Sequence, residues 1–134
     1  MSYYFNRRDY PGEYFPVPKA IFYLDLNAHE IAVLAFLMYC ENRRTFRCHP
    51  SYATIGKACK MSANTVRKYV NSLERKGFIA TEPTKITMRD GRAHNGSLCY
   101  TILPIQPLEE AYREEQLRIA EYYANLKKYG DIKK

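Results

Sequence analysis

The segment from Ser51 to Gly77, SYATIGKACKMSANTVRKYVNSLERKG, constrains the fold more than any other part of the chain. Serines stand at 51 and 62, and each precedes a run with apolar residues at helical spacing, where a serine hydroxyl satisfies a free N–H of the first turn. After Ser51, the positions Tyr52, Ile55, Gly56 and Cys59 fall at i, i+3, i+4 and i+7, one buried stripe. Gly56 has no Cβ, so another helix is expected to approach closely there. After Ser62, the residues Val66, Val70 and Leu73 form a second stripe, and the helix continues to Lys76 and stops at Gly77, a residue that readily turns left-handed. The break between the runs is only Lys-Met-Ser. Two short helices about a tight turn make a helix-turn-helix.

With Val66, Val70 and Leu73 inward, the outward face of the second of these helices is Asn64, Arg67, Lys68, Asn71 and Arg75. Taken alone, such a face is ordinary solvated helix surface. Its chemistry nevertheless suits a DNA major groove: Asn pairs bidentately with adenine, Arg with guanine, and Lys neutralises phosphate. Because the N-terminal turn of such a helix sits deepest in the groove, Ala63, Asn64, Arg67 and Lys68 are expected at base edges or nearby phosphates. Ser62, Thr65 and Asn71 are expected on phosphates.

The distribution of charge supports that reading. The chain of 134 residues carries a formal net charge of +7. Residues 51–106 hold nine basic and three acidic groups, whereas residues 1–50 hold six and five and residues 107–134 hold six of each. Nearly all the excess therefore belongs to the region of the two helices, and it points to an anionic partner, double-stranded DNA. The stretch after Gly77 reads as two strands about a turn: Phe78 to Glu82 lead in, Lys85 to Arg89 go up, Asp90 and Gly91 turn, and Leu98 to Leu103 return. Arg89, Arg92, His94 and Asn95 give this hairpin a basic, polar tip, and Lys85 on the rising strand joins them as a candidate DNA contact.

At this point the sequence resembles a known group. PSYATIGKACKMSANTVRKYVNSLERKGFI is similar to the winged-helix DNA-binding domains of the MarR and GntR type, in which a Ser-x-x-Thr-Val-Arg recognition helix leads to a Leu-x-x-x-Gly-hydrophobic stop. Those positions are here Ser62, Thr65, Val66, Arg67, Leu73, Gly77 and Phe78. The resemblance covers about residues 16 to 106, and its closest form is the helix-turn-helix domain of replication initiators and small regulators of plasmids, phages and integrative elements. It implies that the recognition helix enters the major groove and that the wing, Arg89 to Asn95, lies on phosphate or in the minor groove. The chain departs from the pattern in having Lys60 where Gly is common, which at positive φ carries a small strain, and Gly56 where Ala is commoner.

Around this unit, three other segments are expected. The first twenty residues hold Pro11, Gly12, Pro16 and Pro18 and read as an extended arm that packs Tyr14, Phe15 and Val17 on the body. Asn27 and Glu30 have the spacing of a capping box, opening a helix to about Asn42 that is apolar on every side and central to the fold; RTFRCHP then supplies a short strand. From Pro107 a helix runs to about Tyr129, with acids early, bases late and Gly130 as its stop. On it Tyr112, Ile119 and Leu126 recur every seven residues, and Leu108, Tyr122 and Tyr129 lie on the neighbouring heptad position, interrupted by Glu115. This stripe either packs back on its own body or pairs with a second copy as a homodimer. Glu109–Arg113 and Glu114–Arg118 are i,i+4 pairs that support the helix.

The resulting fold class is α+β: an arm (1–20), a winged helix-turn-helix (21–106) and a C-terminal amphipathic helix (107–134). Sequence-specific DNA binding as a transcriptional regulator is the expected function. The alternatives are the DNA-binding domain of a mobile-element replication initiator and, in another class, a winged helix used as a protein-interaction module. Cys40, Cys48, Cys59 and Cys99 match no zinc spacing, so no metal or other cofactor is expected. Cys48 stands at a strand end, where exposure would permit redox sensing, and an unknown effector is compatible with the fold class. No nucleophile–base pair, paired carboxylates or phosphate loop argues for an enzyme. The longest apolar run, Ile31 to Cys40, is half the length needed to span a bilayer, and a cytoplasmic protein without membrane attachment is expected.

Overall fold

A computed structural model describes residues 12–87, 89, 91 and 93–132. The backbone builds, in order, a 3₁₀ turn Lys19–Phe22, α1 Ala28–Cys40, β1 Arg47–Cys48, α2 Tyr52–Cys59, α3 Ala63–Arg75, β2 Ile79–Glu82, β3 Lys85–Thr87, β4 Ala93–Asn95, β5 Cys99–Ile102 and α4 Gln106–Ile132. The architecture is an α+β winged helix: three helices packed on one another and on an antiparallel sheet of order β1-β5-β2, with β3 and β4 paired as the wing.

The core is formed where the helices meet. Val33, Leu34 and Leu37 of α1, Ile55 of α2, and Val66, Val70 and Leu73 of α3 are fully buried, together with Ile21, Phe78, Ile79 and Tyr100. The inward stripe of α3 is therefore the one its spacing predicts. The central helix is not apolar on every side in its packing, because Tyr39 is 65% exposed and His29 also faces out. In the arm, Phe15 and Val17 are half-buried, but Tyr14 is exposed, contrary to expectation; extended residues two apart share a side, and Tyr14 is the odd one out. Phe15 packs near Tyr39, with ring centroids 5.8 Å apart.

The capping box at Asn27 and Glu30 forms as the sequence predicts. Asn27 Oδ1 accepts from the Glu30 N–H (2.8 Å), and Glu30 Oε1 accepts from the Asn27 N–H (3.0 Å). The same carboxylate is buried, and it accepts from Ser72 Oγ (2.6 Å) and Lys76 Nζ (3.0 Å), tying the start of α1 to the end of α3. Burial alone would raise this carboxyl. The hydrogen bonds from Asn27, Ser72 and Lys76, with the Lys76 charge, outweigh burial and hold it below the usual carboxylate range.

The wing differs from a simple two-stranded hairpin. Near its base β2 pairs with β5 (Ile79 opposite Ile102, Glu82 opposite Cys99), and towards its tip β3 pairs with β4 (Lys85 opposite Asn95). Two residues connect β2 to β3, but three connect β4 to β5, so the register slips by one across the join. Pro83 lacks an N–H and interrupts the ladder there. Thr84 O accepts from the Gly96 N–H (2.7 Å), carrying the pairing over the extra residue.

In α4 the helix continues through Gly130 to Ile132 rather than stopping at the glycine. Glu109 pairs with Arg113 as expected, at 3.8 Å, whereas Arg118 pairs with Glu115 (3.4 Å) instead of Glu114. Among the described residues no helix is long and apolar enough to cross a membrane.

Candidate nucleic-acid interface

The geometry of the interface begins at the turn between α2 and α3. Ser51 and Ser62 both act as N-caps, their hydroxyls accepting from Thr54 N (3.1 Å) and Thr65 N (3.2 Å). Lys60 takes the left-handed conformation (φ 60, ψ 48) that ends α2, and the Met61 N–H returns to Gly56 O at 2.9 Å. Gly56 is required, but by its own turn rather than by another helix: a Cβ there would meet Met61 O at 2.3 Å, while Val66 is no nearer than 3.4 Å. The tight return of the chain on α2 is what allows α3 to cross it.

The C-terminus of α3 is fixed with equal economy. The Gly77 N–H donates to Glu74 O (3.1 Å) and the Phe78 N–H to Leu73 O (3.0 Å), the paired bonds of a Schellman stop, with Gly77 at φ +88. Phe78 is buried beside this stop, so the chain passes directly from α3 into the sheet and wing.

Fixed at both ends, α3 presents Ala63, Asn64, Arg67, Lys68, Asn71, Glu74 and Arg75 as exposed residues. They include all five of the outward set predicted from spacing, with Ala63 and the acidic Glu74 in addition. Thr65 is half-buried, and its hydroxyl lies 2.8 Å from that of Ser62, so both side chains are already engaged in the cap. Lys68 Nζ lies 5.5 Å from the Tyr69 ring centroid, and His29 of α1 stacks on the same ring at 5.1 Å and 6°. Tyr69 thus braces the flank of the basic face.

On the wing, Arg89 is exposed at the turn; Lys85 lies in β3 and His94 and Asn95 in β4, and Asp90 and Arg92 lie outside the described residues. One adjoining feature is not apparent from sequence. A cleft of about 300 Å³ is lined by Ser51 and Tyr52 at the start of α2 and by Gly96, Ser97, Leu98 and Tyr100 on the return side of the wing. The α2 N-terminus and the wing base therefore border one surface. Their separation in sequence by more than forty residues conceals it.

The cysteines do not belong to this surface. Cys48, whose place at a strand end suggests exposure, is buried, with its Sγ 3.6 Å from Leu37 O, and burial pushes its thiol up to about 12. It is a protonated thiol packed in the core, unsuited to redox sensing. Among the described residues no cluster of three His, Cys, Asp or Glu side chains could hold a metal ion.

The face of α4 divides in two. Leu108 and Tyr112 pack on the body, Leu108 against Gly77 and Tyr112 beside Tyr23 with ring centroids 5.2 Å apart, and the Tyr23 hydroxyl donates to Glu109. Ile119, Tyr122 and Leu126 are exposed. The side chain of Tyr129 lies outside the described part of the structure.

Residues 24–79 match a family model described as a helix-turn-helix domain. The matched segment holds the helix-turn-helix that α2 and α3 form. It runs from Leu24, ahead of α1, to Ile79 at the start of β2, and so contains the whole three-helix unit and stops short of the wing. No curated protein matches the sequence. Among solved structures, the chain is similar to a possible transcriptional regulator from Methanosarcina mazei Go1, at 15% identity and a TM-score of 0.49 over 75% of this chain and 81% of that one. It is also similar to S. aureus MepR in a MepR–DNA complex, at 21% identity and a TM-score of 0.39 over 83% of each chain. Both are distant likenesses.

Proposed function

We propose that this protein binds double-stranded DNA sequence-specifically, with α3 in the major groove and the wing on the backbone or minor groove, and that it regulates transcription by occupying its site. The observation that carries the reading is the exposed face of α3. Asn64, Arg67 and Lys68 stand together in its first turns, and the caps and stop of a helix-turn-helix domain hold them in place. Arg67 and Asn64 are the base-reading groups in this account, because a guanidinium and a carboxamide each form two directed hydrogen bonds to a base edge. Ala63 lies close enough to the groove floor to touch a base edge or methyl group. Lys68 and Asn71 take phosphates, and Ser62 and Thr65 approach them through the capped helix end. Lys85, Arg89, Arg92, His94 and Asn95 contribute the wing's part.

The charge distribution supports this division of labour, since the +6 of residues 51–106 lies within the helix-turn-helix and wing. Phosphate neutralisation releases counterions, so affinity for a mixed-sequence duplex should fall steeply as salt rises from about 50 to 200 mM. Fluorescence anisotropy over that range tests the proposal. A salt-independent association, or none at low salt, contradicts it and favours a protein-interaction role.

A further inference from the structure

From the uncovered face of α4 we infer that two copies of this chain join through that helix, crossing antiparallel near residue 120. Up to Tyr112 the face is covered by the chain's own body. Beyond it the same stripe continues without cover: Ile119 is 40% exposed, Leu126 49%, Tyr122 61% and Tyr123 64%. Four large apolar side chains on one face of a helix extending past its domain form a patch that seeks a partner surface. A second copy is the partner that meets each requirement of this face.

The first requirement is charge. Within α4, residues 106–117 carry four acids and one base, a net of −3, and residues 118–132 carry three bases and two acids, a net of +1. A parallel pair would place like halves together and would set Glu115, which interrupts the stripe, against its own copy in an apolar seam. An antiparallel pair places each acidic half along the basic half of the other copy. Glu115 then lies at the level of Leu126 and Lys127, and Ile119 beside Tyr122.

The second requirement is length. About twenty residues of α4, roughly 30 Å, extend beyond Tyr112. With the crossing near residue 120, residues 113 to about 127 run along the same segment of the other copy, and the last turn of each helix finishes beside the other's body. The two winged helices are left at opposite ends of the rod. If both bind DNA as proposed above, they address two half-sites related by a two-fold axis.

Sedimentation velocity on the full chain, without DNA, tests the inference independently of the DNA reading. The expected result is a species of twice the 15.7 kDa chain mass. The double variant Ile119→Asp/Tyr122→Asp is expected to raise the dimer Kd at least about thirtyfold. Its thermal unfolding midpoint, measured at concentrations where both proteins are monomeric, should be unchanged, because neither residue is buried on the body. Glu115→Lys is expected to weaken the dimer by bringing like charges together, and adding Lys127→Glu and Lys128→Glu should restore it. A monomer at every concentration up to about 1 mM overturns the inference. So does a dimer that survives the two aspartates. A dimer indifferent to Glu115→Lys overturns the antiparallel arrangement, since a parallel pair would only exchange one like-charge contact for another.

Discussion

At Gly56 a single hydrogen atom decides whether the turn can close. A Cβ at this position would sit 2.3 Å from Met61 O, a backbone atom that cannot swing aside. Gly56→Ala is therefore expected to destabilise the fold by about 3 kcal/mol, read from the urea midpoint, and a loss below about 1 kcal/mol would contradict the geometry. Glu30 makes a different demand. Its carboxyl is held below the ordinary 4.5, so the stability it contributes is complete above that pH and is lost as pH falls through the lower folded value. Between pH 6 and pH 3 the wild type should lose more unfolding free energy than Glu30→Gln, and parallel losses would rule out this linkage. The capping box is legible from Asn27 and Glu30 alone, but the bonds from Ser72 and Lys76, more than forty residues away, are not; local spacing carries no record of a tertiary partner. Glu41 is the opposite case: burial raises its carboxyl, and Oε2 is buried with no hydrogen-bond partner among the described residues. Glu41→Gln should leave thermal stability equal to or above that of the wild type.

At the scale of elements, α3 is legible to within a residue because each boundary has a local chemical cause: a serine cap, a 3.6-residue apolar period and a glycine stop. The wing is less legible. Its residues give the strands, but the one-residue slip depends on Pro83 and on which atoms Thr84 and Gly96 present to each other, which alternation alone does not specify. The end of α4 departs from its expected stop because a glycine permits a stop without enforcing one. The two classes of residue on α3 make distinct predictions. Arg67→Ala should cost about 1–3 kcal/mol of DNA affinity and relax specificity at one base position. Lys68→Ala should weaken binding to all sequences about equally and reduce the salt slope by about one, as measured by anisotropy on matched and scrambled duplexes.

At the scale of the whole molecule, the chain joins one basic helix-turn-helix and wing to one amphipathic helix of near-zero net charge. The uneven division of charge along the chain makes the first legible from residue types alone. The second is compatible with two arrangements, because a heptad stripe does not state how much of it its own domain covers. The fold answers in part: the stripe is covered through Tyr112 and open beyond it. The claim on which the rest depends is that α3 reads bases. Selection of bound sites from random duplex DNA, with wild type, Asn64→Ala and Arg67→Ala in parallel, tests it most directly. The account predicts one enriched motif for the wild type, with each variant losing preference at a different base pair. No enriched motif, or the same motif at the same affinity for all three proteins, would contradict it.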